Sequence, residues 1–365
     1  MADVARLAGV SSQTVSRVSS GAPNVRQVTR RRVLQAMDQL GYSPNRAAQA
    51  LRRGSSRTIG VLTQQIQRTG EALTTAGVLE AATEAGYAVN LVQVARPESE
   101  DLHQASVRLA HQDIDGLVVV QAGTAGPERF SLPPGMPVAV SDSALVGHYP
   151  SASADQVQGV RNAVDHLLAL GHRTIHHVTG PPGSQSALIR RATWARCLQE
   201  AGIAPPEPVP GDWDPAAGYR AGLRLARDPE VSAVLCANDE IALGLIRAMH
   251  EQGRRVPEDV SVVGFDGLAL GEFSFPPLTT VRLDFRQHGR AMVELILEQV
   301  AAGGPQGARS VVIPTEMVIR ASTAPAPAPA EPVRPSGRVA GSGDSRWVSR
   351  VPPAHTRRYH RAEYG

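Results

Sequence analysis

Apolar positions follow two regimes along the chain. Up to about residue 57 they recur three and four apart, the spacing of short amphipathic helices. Val4, Leu7 and Ala8 give a first helix its stripe, and Gly9-Val10-Ser11 makes a tight turn. Gly9 relieves the backbone there, and Ser11 is placed to cap a second helix. In that helix Val15 and Val18 face back, which leaves Ser12, Gln13, Ser16 and Arg17 outward near its N-terminus. A third helix over 29–40 carries Val33, Leu34, Met37 and Leu40 and closes a small core, and Gly41-Tyr42-Ser43-Pro44 stops it. Residues 45–51 read as a short Ala-rich helix and 52–56 as a flexible link.

From residue 58 short apolar runs alternate with helical stretches. Strands are expected over 58–62, 89–94, 116–120 and 137–140, with helices ending at 85–86 and spanning 102–111. A second series begins near Gly159: helix to Leu170, strand 174–178, helices 184–201 and 216–226, strand 233–236, helix 240–252, strand 260–265. Repeated βα units predict parallel sheets covered by helices. Two series predict two doubly wound subdomains with a cleft between them, and ligands bind beyond the carboxyl ends of such strands. The last helix, 285–301, and strands near Val311 and Val318 are expected to return across the cleft. The fold class is thus a small all-α helix-turn-helix head on an α/β core of two parallel-sheet subdomains. Its expected divisions are a head at 1–44, a hinge helix and linker at 45–57, a core at 58–323 and a tail at 324–365. The tail opens on an Ala/Pro run, an extended spacer. Beyond that run it has no Leu or Ile, so it makes no heptad seam and is expected to be disordered.

Charge separates these parts further. The formal net charge of +3 divides into +8 over residues 1–57, −9 over 58–323 and +4 over 324–365, with Arg as the only basic residue besides His. A basic head on an acidic body points to a polyanion partner for the head alone. Polar side chains on a protruding helix suit base edges and phosphates in a DNA major groove. The competing reading, a helical hairpin in an ordinary core, leaves that charge split unexplained. Cys197 and Cys236 make neither a disulfide framework nor a zinc motif. With no export signal and no spanning apolar run, a cytoplasmic protein is expected.

Five residues fall where the cleft would lie: Asp142, Arg190, Trp213, Asn238 and Asp266. Carboxylates and a guanidinium hold vicinal hydroxyls through charge-assisted bonds, and an indole covers a sugar's apolar face. Each has a plainer alternative, as turn residue, surface charge, core aromatic or helix cap. Their joint occurrence favours a polyol site. Catalysis is unsupported. Gly180-Pro181-Pro182-Gly183 is neither a dinucleotide fingerprint nor a P-loop, and adjacent His176 and His177 in a strand point to opposite faces. No cofactor or metal is expected.

The chain closely resembles the lac repressor family of bacterial transcription regulators from residue 2 to about 323. The resemblance rests on Asp3-Val4-Ala5, Ala8-Gly9-Val10-Ser11, Gln13 to Val18, Gly41 to Asn45 and Ala47-Ala48-Gln49-Ala50-Leu51. In the body it rests on Ala237-Asn238-Asp239, Val260 to Asp266 and Pro276 to Val281. It implies that Ser12, Gln13 and Arg17 read bases, and that Ser11, Thr14, Ser16 and Asn45 hold phosphates or orient the head. It also implies a hinge helix at the minor groove, bearing Ala48 and with Leu51 as the wedge that kinks a base step. The five cleft residues match sugar contacts of the family's namesake. The implied protein is a homodimer that represses sugar-use genes from a pseudo-palindromic operator and is released by a galactoside-like effector.

Three departures qualify this. Ser12 stands where the namesake has Tyr, so the operator sequence does not transfer. Leu283 stands where it has Gln, so the sugar is modified or different. The chain begins without the Thr-x-x segment that caps the family's first helix, so its start lies upstream or that helix frays. A sugar-binding protein of a transport system shares the core fold, but the basic head counts against it. A purine co-repressor is disfavoured because the expected cleft lacks paired aromatics.

Overall fold

A computed structural model describes residues 1–20, 22–42, 55–94, 104–105, 108–109, 112–120, 135–141 and 143–328. Asn45, Ala48, Leu51, Asp142 and most of the tail therefore lie outside the described residues, as does most of the helix expected over 102–111.

The head is three helices, α1 (Ala2–Ala8), α2 (Ser12–Ser19) and α3 (Gln27–Gln39). Gly9 ends α1 in the left-handed conformation at φ 59°, where a side chain is strained. Ser11 caps α2, its hydroxyl accepting from the Thr14 amide at 3.2 Å. Val4, Ala5, Ala8, Val15, Val18, Val33, Ala36 and Met37 form the core. Leu7, Leu34 and Leu40, expected inside, are instead about half exposed. In such short helices one narrow stripe reaches the centre, and the small residues Ala5 and Ala36 take it, which lets the helices approach closely.

The core holds two sheets. The first has strand order β10-β5-β4-β3-β1-β2, built from β1 (Thr58–Thr63), β2 (Ala88–Gln93), β3 (Gly116–Val120), β4 (Val138–Val140), β5 (Ser151–Ala154) and β10 (Ser310–Ile313), all parallel. The second has order β11-β9-β8-β7-β6, from β6 (His176–Val178), β7 (Ala233–Cys236), β8 (Ser261–Asp266), β9 (Thr279–Arg282) and the antiparallel edge β11 (Glu316–Val318). The strand expected over 174–178 shortens to three residues.

Helices α4 (Thr69–Glu84) and α9 (Phe285–Ala301) cover one face of the first sheet, where Ile59, Val118, Met292 and Ile296 are fully buried. The second sheet packs between α5 (Gln156–Ala169) with α6 (Gln185–Glu200) on one face and α7 (Pro215–Leu225) with α8 (Asp239–Glu251) on the other. The chain passes between the sheets three times: after β5, after β9 and between β10 and β11. The first sheet therefore takes its edge strand β10 and its covering helix α9 from the C-terminal end of the core, and the return expected from the sequence is present.

Two segments expected to be free are held. Asp115 accepts from the Ser56 and Arg57 amides at 2.8 and 2.9 Å and from the Ser55 and Ser56 hydroxyls, fixing the end of the linker to the first subdomain. The start of the Ala/Pro run is tied down by the Ala324 amide on Ser261 Oγ at 3.0 Å and the Ala326 amide on the Leu170 carbonyl at 2.8 Å. A short helical turn, Ala269–Glu272, leads into a loop in which Ser274 Oγ donates to the Pro276 carbonyl at 2.7 Å. That loop leaves Phe273 and Phe275 81% and 88% exposed beside exposed Leu270.

His177 on β6 is buried against Trp194, ring centroids 5.3 Å apart, with Nδ1 2.8 Å from the Leu235 carbonyl oxygen. Burial pulls its pKa from 6.5 down to about 4, against the Leu235 bond. The ring is neutral when folded, so its contribution is intact above pH 6.5 and is lost as pH falls toward 4. Buried Asp239, pushed up to about 7, slopes the opposite way between pH 4 and 7. The expected result is thus a difference: His177→Gln loses less thermal midpoint than the wild type between pH 7 and pH 5 by calorimetry. Equal losses would remove His177 as a source of acid sensitivity.

Candidate ligand cleft and DNA-reading head

The carboxyl ends of both sheets open onto one cleft, and the first turns of the following helices line it. Thr69, Gly70 and Glu71 come from α4, Gln156 from α5, Ser186 and Arg190 from α6 and Glu240 from α8. Trp213 precedes α7, Asn238 ends the β7 connection, Asp266 ends β8, and Leu283, Phe285 and His288 follow β9.

Arg190 is the hub, buried at 5% exposure. Its Nε donates to Gln156 Oε1 at 2.8 Å, one terminal nitrogen to the Ala237 carbonyl and the other to Asp266 Oδ1 at 3.1 Å. The guanidinium lies 3.9 Å from the Phe265 ring centroid and 5.6 Å from that of Trp213. A planar fork stacked on an aromatic face and braced on three sides is held in one orientation. Asp266 has φ 105°, a conformation costly for a side-chain-bearing residue and typical of sites where geometry is held for function.

Trp213 rests on Gly180, where an added Cβ would come within 2.6 Å of the indole. The Gly180 loop is therefore a seat for the ring. Asn238 serves two roles: Oδ1 caps α8 by accepting from the Ile241 amide at 2.9 Å, while Nδ2 donates to the Trp213 carbonyl at 3.2 Å. Behind it, burial and the neighbouring Asp266 raise the Asp239 carboxyl, while Thr280 and the Leu268 amide hold it at 2.6 Å each. Leu283 is buried on the cleft wall.

The structure thus brings together Arg190, Trp213, Asn238 and Asp266. Sequence reasoning missed Glu71, Gln156, Glu240 and Phe285. Their signal is position alone, in the first helical turn after a strand. Phe285 is a second cleft aromatic that sequence reading did not count. Two bonds cross the cleft directly: Thr69 Oγ1 donates to Glu240 Oε1 at 2.6 Å, and Arg68 pairs with Asp212 at 3.7 Å.

In the head, Ser12, Gln13 and Arg17 are exposed on α2, with Val15 and Val18 buried behind them. Ser11 and Thr14 hydroxyls lie 3.0 Å apart at its start, and Ser16 is partly buried on the same helix. No helix among the described residues is long and apolar enough to cross a membrane.

A helix-turn-helix head with an exposed polar face on its second helix, followed by a two-subdomain core around a polar cleft, is the architecture of a ligand-responsive DNA-binding regulator. Residues 1–45 match the bacterial regulatory proteins of the lacI family, and residues 164–323 match the periplasmic binding protein-like domain. The lactose operon repressor of Escherichia coli (strain K12) is 35% identical over 327 residues, covering 88% of this chain and 89% of that protein. The crystal structure of the lac repressor dimer bound to operator and the anti-inducer ONPF superposes with TM-score 0.78 at 33% identity, over 88% of this chain and 98% of that one. The complex of the transcriptional regulator CelR with cellobiose superposes with TM-score 0.67 at 29% identity, over 88% and 98%. The chain belongs to the lac repressor family of DNA-binding transcriptional regulators. The E. coli relative is a repressor.

Proposed function

We propose that the protein is a cytoplasmic homodimeric repressor that binds a pseudo-palindromic operator and is released by a sugar in the cleft. The observation that carries the sugar reading is the braced Arg190 beside Trp213 and Asp266. Two of the five guanidinium N–H bonds have no assigned acceptor among the described residues, and a planar fork presents such a pair to adjacent hydroxyls. Trp213 covers the ring's apolar face, with Asn238 and Asp142 completing the set. The relatives support the same reading, since one bears operator and anti-inducer and another cellobiose. A galactoside is the first guess, and Leu283 keeps it from being a plain copy of the namesake's ligand. The expected divisions stand within this proposal: head 1–44, hinge 45–57 with Leu51 as wedge and Ala48 and Asn45 beside it, core 58–323 and tail 324–365.

A thermal-shift screen of mono- and disaccharides tests the sugar reading. A native-state ligand at a hundred times its Kd adds about 2.7 kcal/mol of stability. A panel in which no sugar raises the midpoint would reject it.

In the head, Arg17 is the sequence-reading cation, with Gln13 suited to adenine and Ser12 beside it. Ser11, Thr14 and Ser16 hold phosphates. Arg17→Ala should cost about 1–3 kcal/mol on specific DNA, the value of one bidentate base contact, and relax preference at one base pair per half-site. Selection from random DNA measures this. An unchanged consensus would remove Arg17 from base reading.

A further inference from the structure

Glu71 is the least expected residue in the cleft. It lies in the first turn of α4 at 1% exposure, and only one of its oxygens is occupied. Oε2 accepts from Thr63 Oγ1 at 2.8 Å and from the Gln64 and Gln65 amides at 3.1 and 2.7 Å. Oε1 is buried with no hydrogen-bond partner. A buried carboxylate oxygen without a donor is costly, and the side chain lines the cleft.

The electrostatics of the cleft point the same way. Arg190 is compensated by Asp266 and Arg68 by Asp212. Glu71 and Glu240 form no ion pair among the described residues; burial raises the Glu71 carboxyl, and the neighbouring Arg68 charge and its own hydrogen bonds offset part of that. Helix N-termini normally attract anions. At α4 and α8 that role is already filled by the first-turn acids Glu71 and Glu240, both on the cleft lining. The wall that would hold a phosphate in another cleft here carries negative charge of its own.

We infer that Glu71 is a specificity-determining residue, and that it selects an uncharged polyol presenting a hydroxyl donor to Oε1 while barring ligands that carry phosphate or carboxylate. This rests on the cleft being the sugar site. The donated hydroxyl forms a charge-assisted bond, and an analogue lacking it leaves the buried oxygen unpaired. A phosphate or carboxylate group at this place sets acceptor oxygens against Oε1 and meets like charge at both helix starts.

Titration calorimetry on the full chain tests this with neutral mono- and disaccharides, their phosphates, the corresponding sugar acids and a deoxy series of the tightest binder. For the wild type, the parent sugar should bind at least tenfold more tightly than its phosphate or acid, which needs no variant. Glu71→Gln keeps an oxygen for Thr63, Gln64 and Gln65 but turns an amide donor toward the ligand. It should weaken the parent sugar at least tenfold with an unchanged thermal midpoint and unchanged operator affinity. One deoxy analogue should lose at least tenfold against the wild type and nothing against Glu71→Gln, a coupling that a merely structural role would not produce. Tighter binding of a phosphate or acid, or the same deoxy profile in both proteins, overturns the inference and leaves the sugar cleft standing. Absence of all sugar binding, or full sugar affinity in Arg190→Lys, overturns the cleft reading itself.

Discussion

Arg190→Ala should yield a protein that holds its operator but no longer responds to its effector. Three acceptors and two aromatic faces fix the guanidinium in place, so effector hydroxyls meet a prearranged fork and little ordering entropy is spent at binding. The same contacts give the side chain a second role. It joins the start of α5, the end of β7 and the end of β8, and its loss removes the guanidinium paired with buried Asp266. Breaking one partner of such a pair costs about 3–5 kcal/mol, so the Ala variant should also melt earlier. Arg190→Lys separates the two effects. It keeps a cation near Asp266 but has no fork, and should retain most of the stability while losing at least a hundredfold in effector affinity. Operator binding with and without effector, followed by mobility shift, decides the matter. Induction at wild-type effector concentration in Arg190→Lys would show that the fork does not hold the ligand.

Replacing both Phe273 and Phe275 by Glu should convert a dimer to monomers and cut specific operator affinity by about 10²–10⁴, the gain that linking two weak sites provides. Two phenylalanines one residue apart, each more than four-fifths exposed, form the kind of surface that marks an interface, and each ring is worth about 1.5–3 kcal/mol when covered. Effector affinity should not change, because no residue of this loop lines the cleft. Light scattering at micromolar concentration checks the assembly. A variant that remains dimeric would place the interface elsewhere. The wild type should stop at the dimer, since the tail has no Leu or Ile to form a further seam.

The alternation of β-branched runs with helical stretches carried most of the core in the sequence, down to the return of the chain after residue 285. Periodicity was less faithful in the head. Leu7, Leu34 and Leu40 satisfy helical spacing as well as Ala5 and Ala36 do, and only packing decides which small or large residue reaches a centre this narrow. The cleft was half legible. Asn238 and Asp266 belong to recognisable motifs, and Arg190 and Trp213 stand out by their place where a cleft is expected. Glu71 and Glu240 look like ordinary first-turn acids, which complement helix dipoles on any surface. What makes them cleft residues is the convergence of strand ends far apart in the chain. Asn238 shows why cap and cleft readings are not rivals: its oxygen holds the helix while its nitrogen donates to the Trp213 main-chain carbonyl at the cleft wall.

The threefold passage between the sheets also sets an order of events during synthesis. The first sheet's β1 to β5 leave the ribosome early, yet Met292 and Ile296, which fill one face of that sheet, and Ile313, on its edge strand, arrive only after β6 to β9 of the second subdomain have been made. Contacts of such long sequence separation form late. Until then the first sheet has an open edge at β5 and an apolar face covered by α4 alone. A chain interrupted anywhere in the second subdomain therefore carries an exposed, incomplete sheet behind an intact DNA-binding head, a species for degradation and not a half-sized repressor.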